Sequence, residues 1–334
     1  MSLILSLDEV ERVSTESLVA SGASLAQAGP VARSIRDAEA EGTRVIGLAY
    51  LPYYCQHLKV GKIAGDATPS IACPAPALIR VDAADGFAHP AYEAGEATLI
   101  EAAQTQGIAL MGITNAYACG VLGYFTGRLA RRGLVGIMMA NASSTMAPWG
   151  GKTPFFGTNP WSFAAPRQGE PLIIDSSSSA TAFVNLANAA AEGRPIPEGW
   201  ALDAKGKPTT DAAAGMAGSI APAGGHKGAA LALMVEVMAA GLTGANWSYR
   251  ASSLGDDEGG PPRLGQTVIA IRPNGLGVSD HVTRLEEMLS AMAMHEGARM
   301  PGDRKHRARA DAVKHGVMVD LGLAAILRSH GATL

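Results

Sequence analysis

Four stretches of this chain carry residue types that can do chemistry. In "IIDSSSSA", Asp175 closes an apolar run, and Ser176, Ser177 and Ser178 stand with Ser179 at the start of the next segment. Hydroxyls and free backbone N–H groups there can hold phosphate or ribose oxygens, or can simply cap a helix, for which one serine would suffice. "PAGGHKG" sets His226 and Lys227 at the mouth of an apolar helix, where two potential cations oppose the helix dipole. That placement makes sense around an anionic ligand; a solvated cap is the alternative. "MPGDRKH" puts Arg304 beside a Pro-Gly turn, followed by Lys305, His306 and Arg307. A guanidinium can reach a phosphate from there, or can open an ordinary basic helix. "FFGTNPW" is rich in backbone donors and also suits a plain strand-linking turn.

A fifth stretch, "EGTRVIGLAYLPYY", is ambiguous. Val45, Ile46, Leu48 and Leu51 suit a core, yet Arg44 precedes them and Tyr50, Tyr53 and Tyr54 crowd the end. Neither a G-x-G-x-x-G after a strand nor a Walker sequence is present, so the usual nucleotide signatures are missing. His57, His89, His281, His295, His315 and His330 do not pair at metal-ligand spacing, and no metal site is expected. Cys55, Cys73 and Cys119 lie far apart without C-x-x-C spacing, which predicts neither zinc nor disulfides and suits a reducing, cytoplasmic setting.

The elements that must position these residues follow from periodicity. Ser6 and Glu9 have capping-box spacing, which predicts a helix from near Leu7 to about Ala20. A second helix is expected from about Pro30 to Glu41, and a third over about 50–60. From Pro76 onward "ALIRVDA", "IALMGIT", "LVGIMMAN", "EPLIID" and "QTVIAIRP" read as strands, with helices between the first three and after Ser179. Alternation of this kind predicts an α/β layer. The helix opened by "GGHKGAALALMVEVMAAGLTG" is so apolar that it should be almost wholly buried.

The 334 residues, 47% hydrophobic and 17% charged, describe a globular chain with ample core. A net charge of −3 without any basic block gives no reason to expect nucleic acid or an anionic membrane as partner. "MSLILSLDEVERV" lacks the basic start of a signal peptide, and the longest apolar run carries Glu236 and is too short to span a bilayer.

Several long motifs in order resemble the malate/L-lactate dehydrogenase family that lacks a Rossmann fold. They are "VDAADGFAHPA", "APWGGKTPFFGTNPWSFAAP", "IPEGWALDAKGKPTTD", "GGHKGAALALMVEVMAAGLTGANWS" and "GQTVIAIRP", and the likeness runs from about residue 6 to 328. "MPGDR" and "GLTGANWS" are most similar to its Δ1-piperideine-2-carboxylate / Δ1-pyrroline-2-carboxylate reductase branch. The resemblance implies an α/β, non-Rossmann malate/L-lactate dehydrogenase-like fold with a small helical N-terminal lobe. It also implies a homodimer with its active site between lobes, NADPH or NADH as cofactor and a small-molecule substrate. The expected division is a lobe over 1–75 packed with C-terminal helices 278–334, and a cofactor- and substrate-binding domain over 76–277. Cofactor contacts carry over onto Asp175, Ser176, Ser177, Ser178, His226, Lys227, Pro301, Gly302, Asp303 and Arg304, and Thr158 is carried over as facing the substrate.

The ambiguous stretch departs from the resemblance. Where the family commonly has S-H-G-x-x-R, this chain has Val45 to Tyr50, so the proton-donating histidine falls on Ile46 and the carboxylate-binding arginine on Tyr50. A second family histidine falls on Ala118. Ketone reduction creates an alkoxide, and losing its general acid costs about 10²–10⁴-fold. A cyclic imine can arrive protonated and accept hydride with no alkoxide to quench. The expected activity is therefore reduction of a small 2-imino carboxylate, Δ1-pyrroline-2-carboxylate or Δ1-piperideine-2-carboxylate. The alternatives are a 2-hydroxyacid dehydrogenase of malate or lactate type and a cofactor-binding relative without catalysis. Tyr50, Tyr53 and Tyr117 are the candidate replacement donors, and Arg44 the candidate carboxylate clamp unless it is an ordinary surface residue.

Overall fold

A computed structural model describes residues 2–277 and 279–334. Its chain opens with strand β1 (Ser2–Leu5), then helix α1 (Leu7–Ala20), helix α2 (Leu25–Ala40) and helix α3 (Leu51–Lys59). The predicted capping box is made at α1: the Glu9 carboxylate accepts from the Ser6 N–H at 2.7 Å, and the Glu9 N–H donates to Ser6 Oγ. Helix α2 starts five residues before the predicted Pro30. The Ser24 side chain caps it by accepting from the Gln27 N–H, and Pro30 lies inside the helix. A local cap therefore outweighed the proline.

Next come β2 (Ser70–Ala75), β3 (Leu78–Asp82), α4 (Ala88–Gln106), β4 (Ile108–Ala116), α5 (Leu122–Arg131), β5 (Val135–Ala140), β6 (Trp161–Ala165) and β7 (Leu172–Ser176). Helix α6 (Phe183–Ala191), the short strands β8 (Ala201–Leu202) and β9 (Pro208–Thr209), helix α7 (Ala212–Met216) and strand β10 (Ser219–Ile220) form a small annex. Helix α8 (His226–Glu236) continues into a π-helical segment, Val237–Gly241, before β11 (Leu264–Ile271). The chain finishes with α9 (His281–Ala293), α10 (Asp303–His315), β12 (Val317–Asp320) and α11 (Leu321–Ser329).

The main sheet has the order β2-β3-β4-β11-β5-β6-β7. Of its pairings only β3 with β4 is parallel. Strand β11 was legible as a strand, but its place was not: it lies antiparallel between β4 and β5, filling the slot their crossover through α5 leaves open. Alternation along β11 divides two faces. Val268 and Ala270 join the core under α4 and α5, while the Thr267 hydroxyl donates to Met238 O of the π-helical segment.

A second core ties α1, α2 and α3 to the returning chain, with Val10, Ile35, Leu51 and Tyr54 packed among Ala312, Val317, Ala324 and Leu327. Strand β1 pairs antiparallel with β12. Helix α9 is held elsewhere, by the Arg167–Glu286 ion pair beside the β6–β7 turn. Residue 278, where the expected third division begins, lies outside the described residues.

The expectation of an almost wholly buried α8 is not met. Leu233, Met234, Val237 and Leu242 are all about half exposed, so the helix covers the sheet with one face and presents an apolar second face outward. Cys55, Cys73 and Cys119 are free thiols. Among the described residues no helix is long and apolar enough to cross a membrane, and no cluster of metal-ligating side chains is present.

Candidate active site

The helical lobe and the sheet meet at a cleft of about 600 Å³. One wall comes from the ambiguous stretch. After α2, Gly42 adopts a left-handed φ of +71°, and a single 3-10 turn, Arg44–Ile46, leads to Tyr50 at the N-cap of α3. The turn is fixed from below by buried Glu39, whose carboxylate accepts from the Leu48 N–H at 2.8 Å. Gly47 is required there, because a Cβ would stand 2.3 Å from Glu39 Oε1. Burial pushes the Glu39 carboxyl up, against the pull of the Leu48 N–H and the Arg44 charge.

This placement brings Ile46, Tyr50, Tyr53 and Tyr54 to the cleft, beside Ala118, Cys119 and Gly120 of the loop after β4. The tyrosines form an aromatic cluster: Tyr50 stacks on Tyr53 and meets Tyr54 edge-on at 4.9 Å, and Tyr54 packs edge-on against Phe87 and Tyr117. Burial pushes the Tyr50 hydroxyl up to about 12, although the nearby Tyr117 hydroxyl opposes this. Tyr117 does not line the cleft; it is 1% exposed and its hydroxyl is hydrogen-bonded to His57 Nδ1. Arg44 also lies outside the lining. It is exposed, and the charge it carries acts on Glu39.

The opposite wall is polar and held by directional bonds. Thr158 lines the cleft from a turn in which Asn159 has a left-handed φ of +39°. The turn is anchored in the core: Asn159 Nδ2 donates to Glu236 Oε2 at 2.8 Å, and Ser248 donates to the same carboxylate through both its N–H and its hydroxyl, each at 2.6 Å. Ser178 belongs to this anchor. Its N–H bonds Thr158 O and its hydroxyl donates to Asn159 O, so that side chain is already committed. Ser176 and Ser177 line the cleft. Helix α6 begins only at Phe183, so the serines shape their own turn rather than a helix start.

Asp175 lines the cleft and accepts from the Gly123 N–H at the start of α5 at 2.8 Å. Burial raises its pKa, while Lys305 and the Gly123 N–H pull it down. The same carboxylate, after burial, pushes the Cys119 thiol up to about 12. Arg304 and Lys305 reach the cleft from the first turn of α10, with Lys305 Nζ 3.3 Å from Glu41. Gly302, before them, has a left-handed φ of +93° and approaches Ile173 O of β7. Pro301, Gly302 and Asp303 do not line the cleft.

His226 and Lys227 are exposed at the α8 N-terminus, outside the lining. Their loop nevertheless joins the serine turn through Ala223 N–H to Ser178 O and Ala180 N–H to Ala221 O. The α8 N-terminus has no side-chain cap, the ring of exposed Trp149 lies 6.0 Å from that of His226, and the buried Thr145 hydroxyl on the cleft wall has no partner among the described residues. Uncapped helix N–H groups, cations and unused hydroxyls together fit a ligand bearing phosphate and sugar oxygens.

The malate/L-lactate dehydrogenase family matches residues 5–328. The chain belongs to that family. It is 43% identical to (2R)-3-sulfolactate dehydrogenase (NADP(+)) of Chromohalobacter salexigens over 93% of either chain. It is 38% identical to Δ1-pyrroline-2-carboxylate reductase of Ancylobacter novellus, covering 98% of this chain and 97% of that one. The crystal structure of Δ1-piperideine-2-carboxylate reductase from Pseudomonas syringae pv. tomato superposes with a TM-score of 0.93 at 34% identity, over 98% and 99% of the two chains.

For this member of the family, sequence reasoning missed the side chains that hold the site in shape. Glu236, Asn159 and Ser248 anchor Thr158, and a buried lysine, Lys62, donates to Ser253 O, Asp256 O and Glu258 O, fixing the loop that brings Ser253, Leu254 and Gly255 to the cleft. A charged residue in an apolar helix was the available signal for Glu236: it must be paired to stay buried. Lys62 carried no such signal.

Proposed function

We propose that this family member is an NAD(P)H-dependent reductase of a small cyclic 2-imino carboxylate, Δ1-pyrroline-2-carboxylate or Δ1-piperideine-2-carboxylate. The observation that carries the reading is the cleft's lobe wall: Ile46, Ala118 and Gly120 meet there, and among the described residues no histidine lines the cleft. An iminium substrate needs no strong acid, and the half-buried carboxylate of Asp175 favours a cation nearby. The relatives named for pyrroline- and piperideine-carboxylate reduction support the same choice.

NADPH or NADH would be held by Asp175, Ser176 and Ser177, with His226, Lys227 and the Pro301–Arg304 loop toward its phosphates; when bound it supplies the hydride. Ser178 acts by keeping Thr158 in place. The substrate carboxylate finds its cation in Lys305 rather than in Arg44, because Lys305 lines the cleft and Arg304 is turned to the cofactor phosphates. The apolar wall excludes water from the face of the ring. The half-exposed apolar face of α8 supports a homodimer, since a second copy would cover Leu233, Met234, Val237 and Leu242. A cytoplasmic setting fits the three free thiols.

A second reading rests on a different observation. The 43% identity to a sulfolactate dehydrogenase favours a 2-hydroxyacid substrate. One assay separates the two: purified protein with NADPH or NADH is offered Δ1-pyrroline-2-carboxylate, Δ1-piperideine-2-carboxylate, pyruvate, oxaloacetate and 3-sulfopyruvate, following loss of the reduced cofactor's absorbance. Turnover of the cyclic imines is expected. Rapid turnover of an oxo acid with none of the imines would overturn the imine reading, and cofactor binding without any turnover would favour a non-catalytic role.

A further inference from the structure

Three tyrosines face the cleft from the lobe wall, and their hydroxyls are not equivalent. Tyr53 is 47% exposed and stacked on Tyr50 at the mouth. The Tyr50 hydroxyl lies near that of Tyr117, which is itself bonded to His57 Nδ1. Tyr54 is only 2% exposed, yet it lines the cleft and its hydroxyl has no hydrogen-bond partner among the described residues. The hydroxyl is open to the cleft rather than sealed in the core, so a bound acceptor can take a hydrogen bond from it worth about 0.5–1.5 kcal/mol.

The surroundings fix where that hydroxyl points. The Tyr54 ring is held edge-on by Tyr50, Phe87 and Tyr117, with centroids 4.9, 5.5 and 5.8 Å away. A Cβ built on Gly120 would stand 3.5 Å from Tyr54 Oη and 3.3 Å from Ile46 Cγ2, so the hydroxyl and the Ile46 side chain flank one small space at the cleft floor. Gly120 keeps that space open, with a left-handed φ of +65°. The side chains of Ile46, Ala118 and Val121 there offer no polar hydrogen, and the Cys119 thiol is only a weak donor.

From this geometry we infer that Tyr54 is a catalytic residue, the proton donor to the ring nitrogen of a substrate that enters as the neutral imine. The inference rests on the imine-reductase reading. A bound reduced cofactor would supply hydride for the new C–H bond at the imine carbon; as the C=N π pair moves onto nitrogen, Tyr54 gives its proton there to form N–H while its O–H bond breaks. The phenolate left behind regains its proton from water in the opened cleft. Burial holds the Tyr54 hydroxyl well above its ordinary value, so it stays protonated throughout the working range. The titratable groups facing it are Tyr50 at the start of its own helix, Tyr117 at the end of β4 and Cys119 in the next loop; Asp175, Lys305 and Arg304 line the same cleft.

The test is a pH profile of kcat/KM for Δ1-piperideine-2-carboxylate with wild type and Tyr54→Phe, after melting curves confirm that both are folded. Wild type should hold its rate as pH rises past the substrate's own pKa. Tyr54→Phe can use only the iminium and should fall about tenfold per pH unit above it. Parallel profiles would overturn the assignment. If wild type turns over no cyclic imine, the reductase reading fails, and Tyr54 is judged by calorimetric binding of picolinate against benzoate, which differ in one ring acceptor. A preference of about tenfold for picolinate in wild type, abolished in Tyr54→Phe, would support the donor; an equal preference in both proteins would refute it.

Discussion

The two walls of the cleft are built by opposite means. On the sheet side Thr158 is held by a chain of short directional bonds running from Glu236 through Asn159, with Ser248 and Ser178 closing the set. On the lobe side Tyr50, Tyr53 and Tyr54 are held by ring packing, and the side chains of Ile46 and Ala118 are apolar. A bonded wall loses several partners with one substitution, whereas a packed wall asks only for shape and volume. This explains how the lobe wall can carry apolar Ile46 and Ala118 beside its tyrosine scaffold without loss of shape.

The largest effect that tests this contrast is Glu236→Ala. Removing the carboxylate leaves the buried Ser248 N–H without an acceptor and takes one bond each from the Asn159 amide, which keeps Ala232 O, and the Ser248 hydroxyl, which keeps Asn159 Oδ1, so the change should cost about 2 kcal/mol or more in a denaturant titration. A loss below about 0.5 kcal/mol would mean that the bonds do not hold the wall.

On the lobe side Ile46→His should be tolerated, with unfolding free energy changed by less than about 1.5 kcal/mol. It should raise turnover of an oxo acid such as pyruvate about tenfold or more by supplying a general acid, read as the rate of NADPH oxidation. Unchanged oxo-acid turnover in a folded variant would show that Ile46 does not stand where an acid would serve.

The smallest effect is expected at Asp175, whose folded pKa lies above the ordinary 3.8. The native state then holds its proton more tightly than the unfolded chain, so this group favours folding at low pH and loses that contribution as pH rises through its folded pKa. Asp175→Asn should remove this dependence and raise the melting temperature slightly at neutral pH, the effect amounting to about 1 kcal/mol or less. A lower melting temperature at neutral pH would show that the bond from the Gly123 N–H and the Lys305 charge outweigh burial.

What could be read from the sequence was local. The Ser6–Glu9 capping box located α1 to the residue, because both bonds lie within three positions of each other. Likewise "QTVIAIRP" was plainly a strand, but nothing in it names β4 and β5 as neighbours some 130 to 160 positions upstream. Helix α8 reads as core because composition does not distinguish a face buried in its own chain from one left outside it. In the cleft, residue types singled out Asp175, the serines and Arg304, yet Arg44 stays at the surface, Tyr117 lies beneath it and Ser178 is spent on the backbone. Those outcomes depend on which groups tertiary contacts leave unpaired, and Tyr54 is the case where that accounting points to chemistry.

Strand β11 has a consequence for assembly in time. The slot between β4 and β5 cannot be filled until Leu264–Ile271 has been synthesised, when roughly four-fifths of the chain is already made. Until then both neighbours carry open edges, with buried positions such as Met111, Ile113 and Met138 uncovered. Between the synthesis of β7 and that of β11 the nascent protein therefore carries two half-sheets awaiting one late strand, a window in which native pairing cannot yet protect those edges.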